Sequence, residues 1–227
     1  MTTFERLFVW TGGLVFVGSL ALTAWWYIVW LGRVSAFAGW GPVLFDALLF
    51  SGFALHHSIL ARPFSKAVVA RIWPERLLRS AYVWTASLLL ILVCLLWRNV
   101  GGEVFHETGP LAILHTGAQV AGVALIALSV RAIDALELAG IRLGTPGQKL
   151  QITGPYHLVR HPLYLGWILA VSGAAHLTGD RFTFAAVSSL YLLIAVPWEE
   201  RSLEREFGEA YRRYQQRVRW RIIPYVY

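Results

Sequence analysis

Six runs of apolar residues divide this chain, and their lengths decide what it can fold into. Residues 7–31 are 25 positions without a charge. Residues 37–60 follow, broken by Asp46 and ending near His56 and His57. Then come 80–97, 111–130 with His115 and Gln119 inside, 163–177 and 182–198. A helix needs roughly 20 apolar residues to cross a bilayer. In lipid every backbone polar group must be paired within its own segment, so these runs read as helices. The last two have 15 and 17 residues and are joined by Thr178-Gly179-Asp180-Arg181, so they form either two spans or a helical hairpin that does not fully cross. The expected fold is an all-α polytopic membrane bundle of five to six spans. The first run is too long for the core of a signal peptide and no clean cleavage site follows it, so it reads as mature protein.

Charge placement sets the expected orientation. The 227 residues are 57% hydrophobic and 15% charged, against about 25% charged for a soluble domain. For six spans, only Arg33, Arg98 and Arg181 of the 20 Lys and Arg fall on one side; the loops after the second and fourth spans and the C-terminal tail carry nearly all the rest. Positive residues stay inside, which predicts an integral membrane protein with both termini cytoplasmic. The net charge of +7 then follows from topology and attraction to anionic membrane lipids, and calls for no nucleic acid partner.

Few residues suggest metal chemistry. The single cysteine, Cys94, lies inside an apolar run and reads as a buried, inert thiol. Adjacent His56 and His57 point about 100° apart on a helix, a poor geometry for one ion, so no metal is expected. His57 and Asp46 are eleven apart and share a face, where polar groups turn inward. His57 is therefore either part of a substrate pocket or a hydrogen bond between helices. His115 and Gln119, one turn apart, read as packing contacts, and His106 and His176 are assigned no function.

The informative stretch begins with GPYHLVRHPLYLG at residues 154–166. Gly154-Pro155 signals a turn, and Pro162 suits the first turn of a helix. Arg160 and His161 thus stand at a helix start, which favours anions and which a guanidinium strengthens. Arg160 reaching lipid phosphates and His161 capping the helix is the alternative. In residues 197–218, Leu203, Phe207, Tyr211, Tyr214 and Val218 recur at helical spacing, predicting an amphipathic cytoplasmic C-terminal helix along the membrane surface. Glu199 and Glu200 stand where the last span leaves the bilayer. They either begin the next helix or bind a cation.

RHPLYLG, then Glu199-Glu200, FGEAYRRY and a closing Trp220-x-x-x-Pro224 resemble the isoprenylcysteine carboxyl methyltransferase superfamily, which includes phospholipid methyltransferases. Residues 56–84 and 133–144 are similar to its bacterial branch of methanethiol S-methyltransferases and NnrU-like proteins. The resemblance implies S-adenosylmethionine bound by Arg160, His161, Tyr164, Gly166, Glu199 and Glu200. It also implies a methyl acceptor that is a small-molecule thiol or a lipid. For direct methyl transfer the candidate catalytic residues are Arg160, to bind the donor carboxylate or an acidic substrate group, and His57, or else His161, as the base a thiol needs. Residues 1–132 would form the substrate side and 133–227 the cofactor-binding core, within one membrane domain. Two alternatives remain: an NADPH-dependent reductase of the related sterol reductase type, and a non-catalytic NnrU-like membrane protein.

Overall fold

A computed structural model describes residues 1–60, 68–71, 73–133, 135–142 and 150–227, the Glu137 side chain excepted. Arg62, Lys66 and Lys149 of the charge count, and parts of 56–84 and 133–144, lie outside the described residues. The helices are α1 (Thr3–Trp25), continued by a π-helical turn (Trp26–Trp30), α2 (Trp40–Leu60), α3 (Leu78–Leu96), α4 (Gly109–Ala132), α5 (Pro162–Ser172), α6 (Gly179–Phe207) and α7 (Glu209–Arg217). Five segments are long and apolar enough to cross a membrane: Thr3–Trp30, Trp40–Leu60, Glu75–Leu96, Gly109–Ala132 and Gly179–Phe207. The 11-residue α5 rises about 16 Å, half of a hydrocarbon core about 30 Å thick. Five long helices and one short one thus account for the expected five to six spans.

Large apolar side chains are exposed along the long helices while several polar ones are buried. Leu14, Leu44, Leu48, Leu95 and Ile113 are exposed, while Asp46, Ser129, Thr178 and Ser188 are buried. That distribution suits lipid, where polar groups must turn inward. The chain is an integral membrane protein.

Two compact units divide the chain. The first comprises Met1–Gly102 with Ala135–Pro146. It opens with a capping box, in which the Thr2 hydroxyl accepts from the Glu5 N–H and the Glu5 carboxylate accepts from the Thr2 N–H. Trp84 Nε1 donates to the Phe8 carbonyl at 2.9 Å. Gly12 lies beneath that indole, where a Cβ would sit 2.7 Å from Nε1. Thr23 meets buried Cys94, and Asp46 accepts the Arg98 N–H at 2.9 Å.

The second unit comprises Glu103–Asp134 and Gly147–Tyr227. Here α4 presses on α5 at glycines. A Cβ on Gly122 would lie 2.5 Å from the Ala170 nitrogen and 2.6 Å from the Gly166 carbonyl, so nothing larger than hydrogen fits. Gln119 donates to the Ala170 carbonyl at 2.8 Å, the packing contact expected of it. Trp167 Nε1 donates to Ser188 Oγ at 3.0 Å, tying α5 to α6. This packing places α4 in the unit that carries RHPLYLG.

Two features were not expected. A two-stranded antiparallel sheet joins β1 (Glu103–His106) to β2 (His176–Thr178). The C-terminal amphipathic segment is also not one helix. The chain turns at Gly208 with φ of 54°, leaving Leu203 and Phe207 on α6 and Tyr211 and Tyr214 on α7. All four gather with Val218, Leu150, Ile152 and Tyr156 in one cluster. The apolar face predicted to lie on the membrane surface is instead covered by the protein itself.

Candidate active site

Pro162 opens α5 as its first residue, with His161 at the N-cap and no side chain capping the helix. The two residues just before it are held by backbone hydrogen bonds to the C-terminal segment. The Arg160 N–H donates to the Trp220 carbonyl at 2.9 Å and the His161 N–H to the Arg221 carbonyl at 2.8 Å. The closing Trp220-to-Pro224 element therefore binds back onto the helix start. Meanwhile α6 continues through Pro197 and brings Glu199 and Glu200 past the same point.

Five of the seven predicted residues meet here. Arg160 Nε donates to Glu200 Oε1 at 2.6 Å, and its Nη1 donates to the carbonyls of Val218 and Arg219, each at 2.8 Å. Glu200 takes a second guanidinium from Arg221, whose Nε reaches Oε2 at 3.1 Å. The Arg160 and Glu200 side chains are 7% and 6% exposed. Buried charges of this kind are stable only when fully partnered, and these two satisfy one another. Arg160 is thus engaged with the protein's own carboxylate and carbonyls rather than standing open at the helix start.

Glu199 differs. Its side chain is 41% exposed, and Tyr164 donates its hydroxyl to Oε2. The His161 ring stacks on Tyr164, with centroids 5.3 Å apart and planes at 14°. Its Nδ1 is 3.8 Å from Glu199 and its Nε2 is 3.5 Å from Glu200. Those distances allow charge attraction, yet Nε2 is buried without a hydrogen bond.

The other two residues have different neighbours. Gly166 lies on the α4-facing side of α5, where a Cβ would be 2.8 Å from the Gly122 carbonyl. His57 belongs to the first unit, where its Nδ1 lies 2.8 Å from the Tyr82 hydroxyl and its ring packs against Phe53.

Sequence reading missed Arg221 and the tyrosines of α7. The Tyr214 hydroxyl donates to the Tyr156 carbonyl at 2.8 Å. Tyr211 is buried and its hydroxyl has no partner. Burial pushes the Tyr156 phenol up to about 12, with the Glu199 charge adding to it. Burial first and Glu200 second push the Tyr211 phenol up as well, so it remains a neutral O–H. The signal was present: Tyr211 is on the predicted apolar face, and a buried tyrosine ordinarily needs a hydrogen-bond partner. The end of α6 and the start of α5 therefore present a half-exposed carboxylate beside two buried polar atoms, His161 Nε2 and Tyr211 Oη, that can still take a partner.

Residues 115–210 match the phospholipid methyltransferase family. The chain is 36% identical over 184 residues to methanethiol S-methyltransferase 2 of Bradyrhizobium diazoefficiens, an alignment covering 78% of this chain and 71% of that one. It is 32% identical over 194 residues to the methanethiol S-methyltransferase of Crocosphaera subtropica, covering 81% and 75%. A Delta(14)-sterol reductase of Arabidopsis thaliana is 34% identical, but over 85 residues only, 36% of this chain and 23% of the reductase. No solved structure matches the chain.

Proposed function

Since the chain belongs to the phospholipid methyltransferase family, together with the methanethiol S-methyltransferases, we propose that it uses S-adenosylmethionine to methylate a small, membrane-permeable thiol. The observation that carries this reading is the half-exposed Glu199 beside two buried groups, His161 Nε2, which is 3.5 Å from Glu200, and Tyr211 Oη, which has no hydrogen bond. These groups fit the donor, which has an ammonium and a sulfonium for a carboxylate and acceptors for buried donors. When bound, S-adenosylmethionine supplies an electrophilic methyl group on a sulfonium cation.

The remaining roles belong to the protein. Glu199 opposes the cationic part of the donor, and Tyr164 fixes that carboxylate. Glu200 does not touch the donor; with Arg160 and Arg221 it holds the helix start and the C-terminal segment in register. Gly166 sets the spacing of α5 from α4. His57, whose ring meets the Tyr82 hydroxyl, is the base assigned to the thiol proton. Holding nucleophile and methyl in line, away from water, supplies most of the rate. Both termini are cytoplasmic on the positive-inside count, so the donor reaches Glu199 from the cytosol. A reporter fused at Tyr227 that is active only outside the cytoplasm would overturn that orientation.

The test uses detergent-purified protein with labelled donor and three acceptors: methanethiol, a prenylcysteine and phosphatidylethanolamine. Transfer to methanethiol is expected, rising with pH toward an ordinary thiol pKa of about 8.5. His57→Ala should lower turnover without changing donor affinity. Transfer to the lipid amine alone would defeat the thiol reading and leave the methyltransferase standing. Binding of NADPH in place of S-adenosylmethionine would favour the reductase reading that the part-length sterol reductase similarity raises.

A further inference from the structure

At the far end of α6 from Glu199, the β1–β2 pair gathers a second set of donors. Glu103, His106 and His176 each offer one ligand atom, and these atoms lie within 4.8 Å of one another. The sheet register puts His106 directly opposite His176. Their rings stack with centroids 4.4 Å apart, and His176 Nε2 already lies 2.8 Å from Glu103 Oε2. From Gly179 to Glu200 the helix rises about 30 Å, so this cluster is remote from the donor site.

We propose that Glu103, His106 and His176 bind one divalent transition-metal ion of the zinc class. Two imidazoles and a carboxylate are a ligand set that suits zinc. Ligands about 2.0–2.1 Å from a tetrahedral ion stand roughly 3.3 Å apart. The His176–Glu103 pair is near that separation, and turning one ring out of the stack completes the set. The side chains are accessible to an incoming ion, with Glu103 42% and His176 21% exposed. The neighbouring Arg181 directs its Nη1 at the His176 carbonyl, at 2.7 Å. Three protein ligands leave the fourth position to water. The ion clamps β1 to β2. Because β1 precedes α4 and β2 runs straight into α6, the clamp fixes the starts of those two helices within the second unit. It takes no part in methyl transfer.

Chelator-stripped full-length protein, titrated with Zn2+ in calorimetry, should show saturable one-to-one binding and a raised thermal midpoint, since a ligand that binds only the folded state stabilises it. Co2+ in its place should give the absorption of a tetrahedral nitrogen and oxygen site. His176→Gln, His106→Gln and Glu103→Gln should each lose the binding and the thermal shift, while their metal-free midpoints stay at the wild-type value. Absence of saturable binding overturns the proposal, and so does binding that survives His176→Gln unchanged.

Discussion

In the first unit Glu5 reaches Arg76, Asp46 accepts the Arg98 N–H and His57 meets Tyr82, three contacts with no member in common. In the second, Glu200 alone is shared by Arg160 and Arg221, and Arg160 also holds the carbonyls of Val218 and Arg219. The difference teaches where damage should spread. Losing one member of a contact that shares no group with the others confines the damage to its own neighbours. Losing a member of a buried network leaves several groups unpaired together, each carrying a desolvation penalty. The matched family region, 115–210, takes in the helix start and the acidic pair of that network but stops short of the C-terminal carbonyls and Arg221 that complete it.

The largest effect should come from Glu200→Ala. It leaves the Arg160 guanidinium, 7% exposed, without its carboxylate, and breaking a buried pair from one side costs about 3–5 kcal/mol. Thermal unfolding followed by tryptophan fluorescence should show a drop of many degrees. Glu5→Ala in the first unit removes a partner from Arg76, whose side chain is 51% exposed, and the acceptor of the Thr2 N–H in the capping box, so a loss well short of that from Glu200→Ala is expected. Equal losses for the two variants would erase the distinction between network and pair.

Next in size is Glu199→Gln, which separates two adjacent carboxylates. Stability should hardly move, because the side chain is already 41% exposed. Donor affinity should fall about tenfold, the low end of the 1.5–3 kcal/mol for a hydrogen bond to a charged group. Calorimetry with S-adenosylmethionine reads this directly. Unchanged affinity would make Glu199 a structural residue like its neighbour and remove the main support for a donor site there.

What the sequence disclosed depended on how local its causes were. The spans could be read because bilayer thickness acts on each run separately. The start of α5 could be read because Pro162 fixes it alone. The roles of Glu199 and Glu200 could not be told apart, since that depends on Arg221 arriving from the C-terminal segment. The reading of one continuous last helix failed because periodicity across Leu203 to Val218 is blind to a turn at Gly208, whose positive φ breaks the helix without disturbing the pattern. The β1–β2 pair is three to four residues a side, too short for alternation to register.

The smallest expected effect is the one that most sharpens the comparison, because two of its readouts should move in opposite directions. Tyr211→Phe removes one oxygen that is buried without a partner. A polar group desolvated and unpaired is a cost to the folded state, so deleting it should leave stability unchanged or raise it by up to about 1 kcal/mol. That is the reverse of every substitution within the Arg160–Glu200 network. If Tyr211 Oη instead serves the donor, the same variant should weaken S-adenosylmethionine binding several-fold, the loss of one neutral hydrogen bond of about 1 kcal/mol. Its phenol is held neutral by burial and by Glu200, so the weakening should not vary between pH 6 and 8. A variant as unstable as Glu200→Ala would mean that the hydroxyl has a structural partner and belongs to the network. A variant with unchanged stability and unchanged donor affinity would leave Tyr211 as packing alone, with His161 Nε2 as the remaining buried group for the donor to meet.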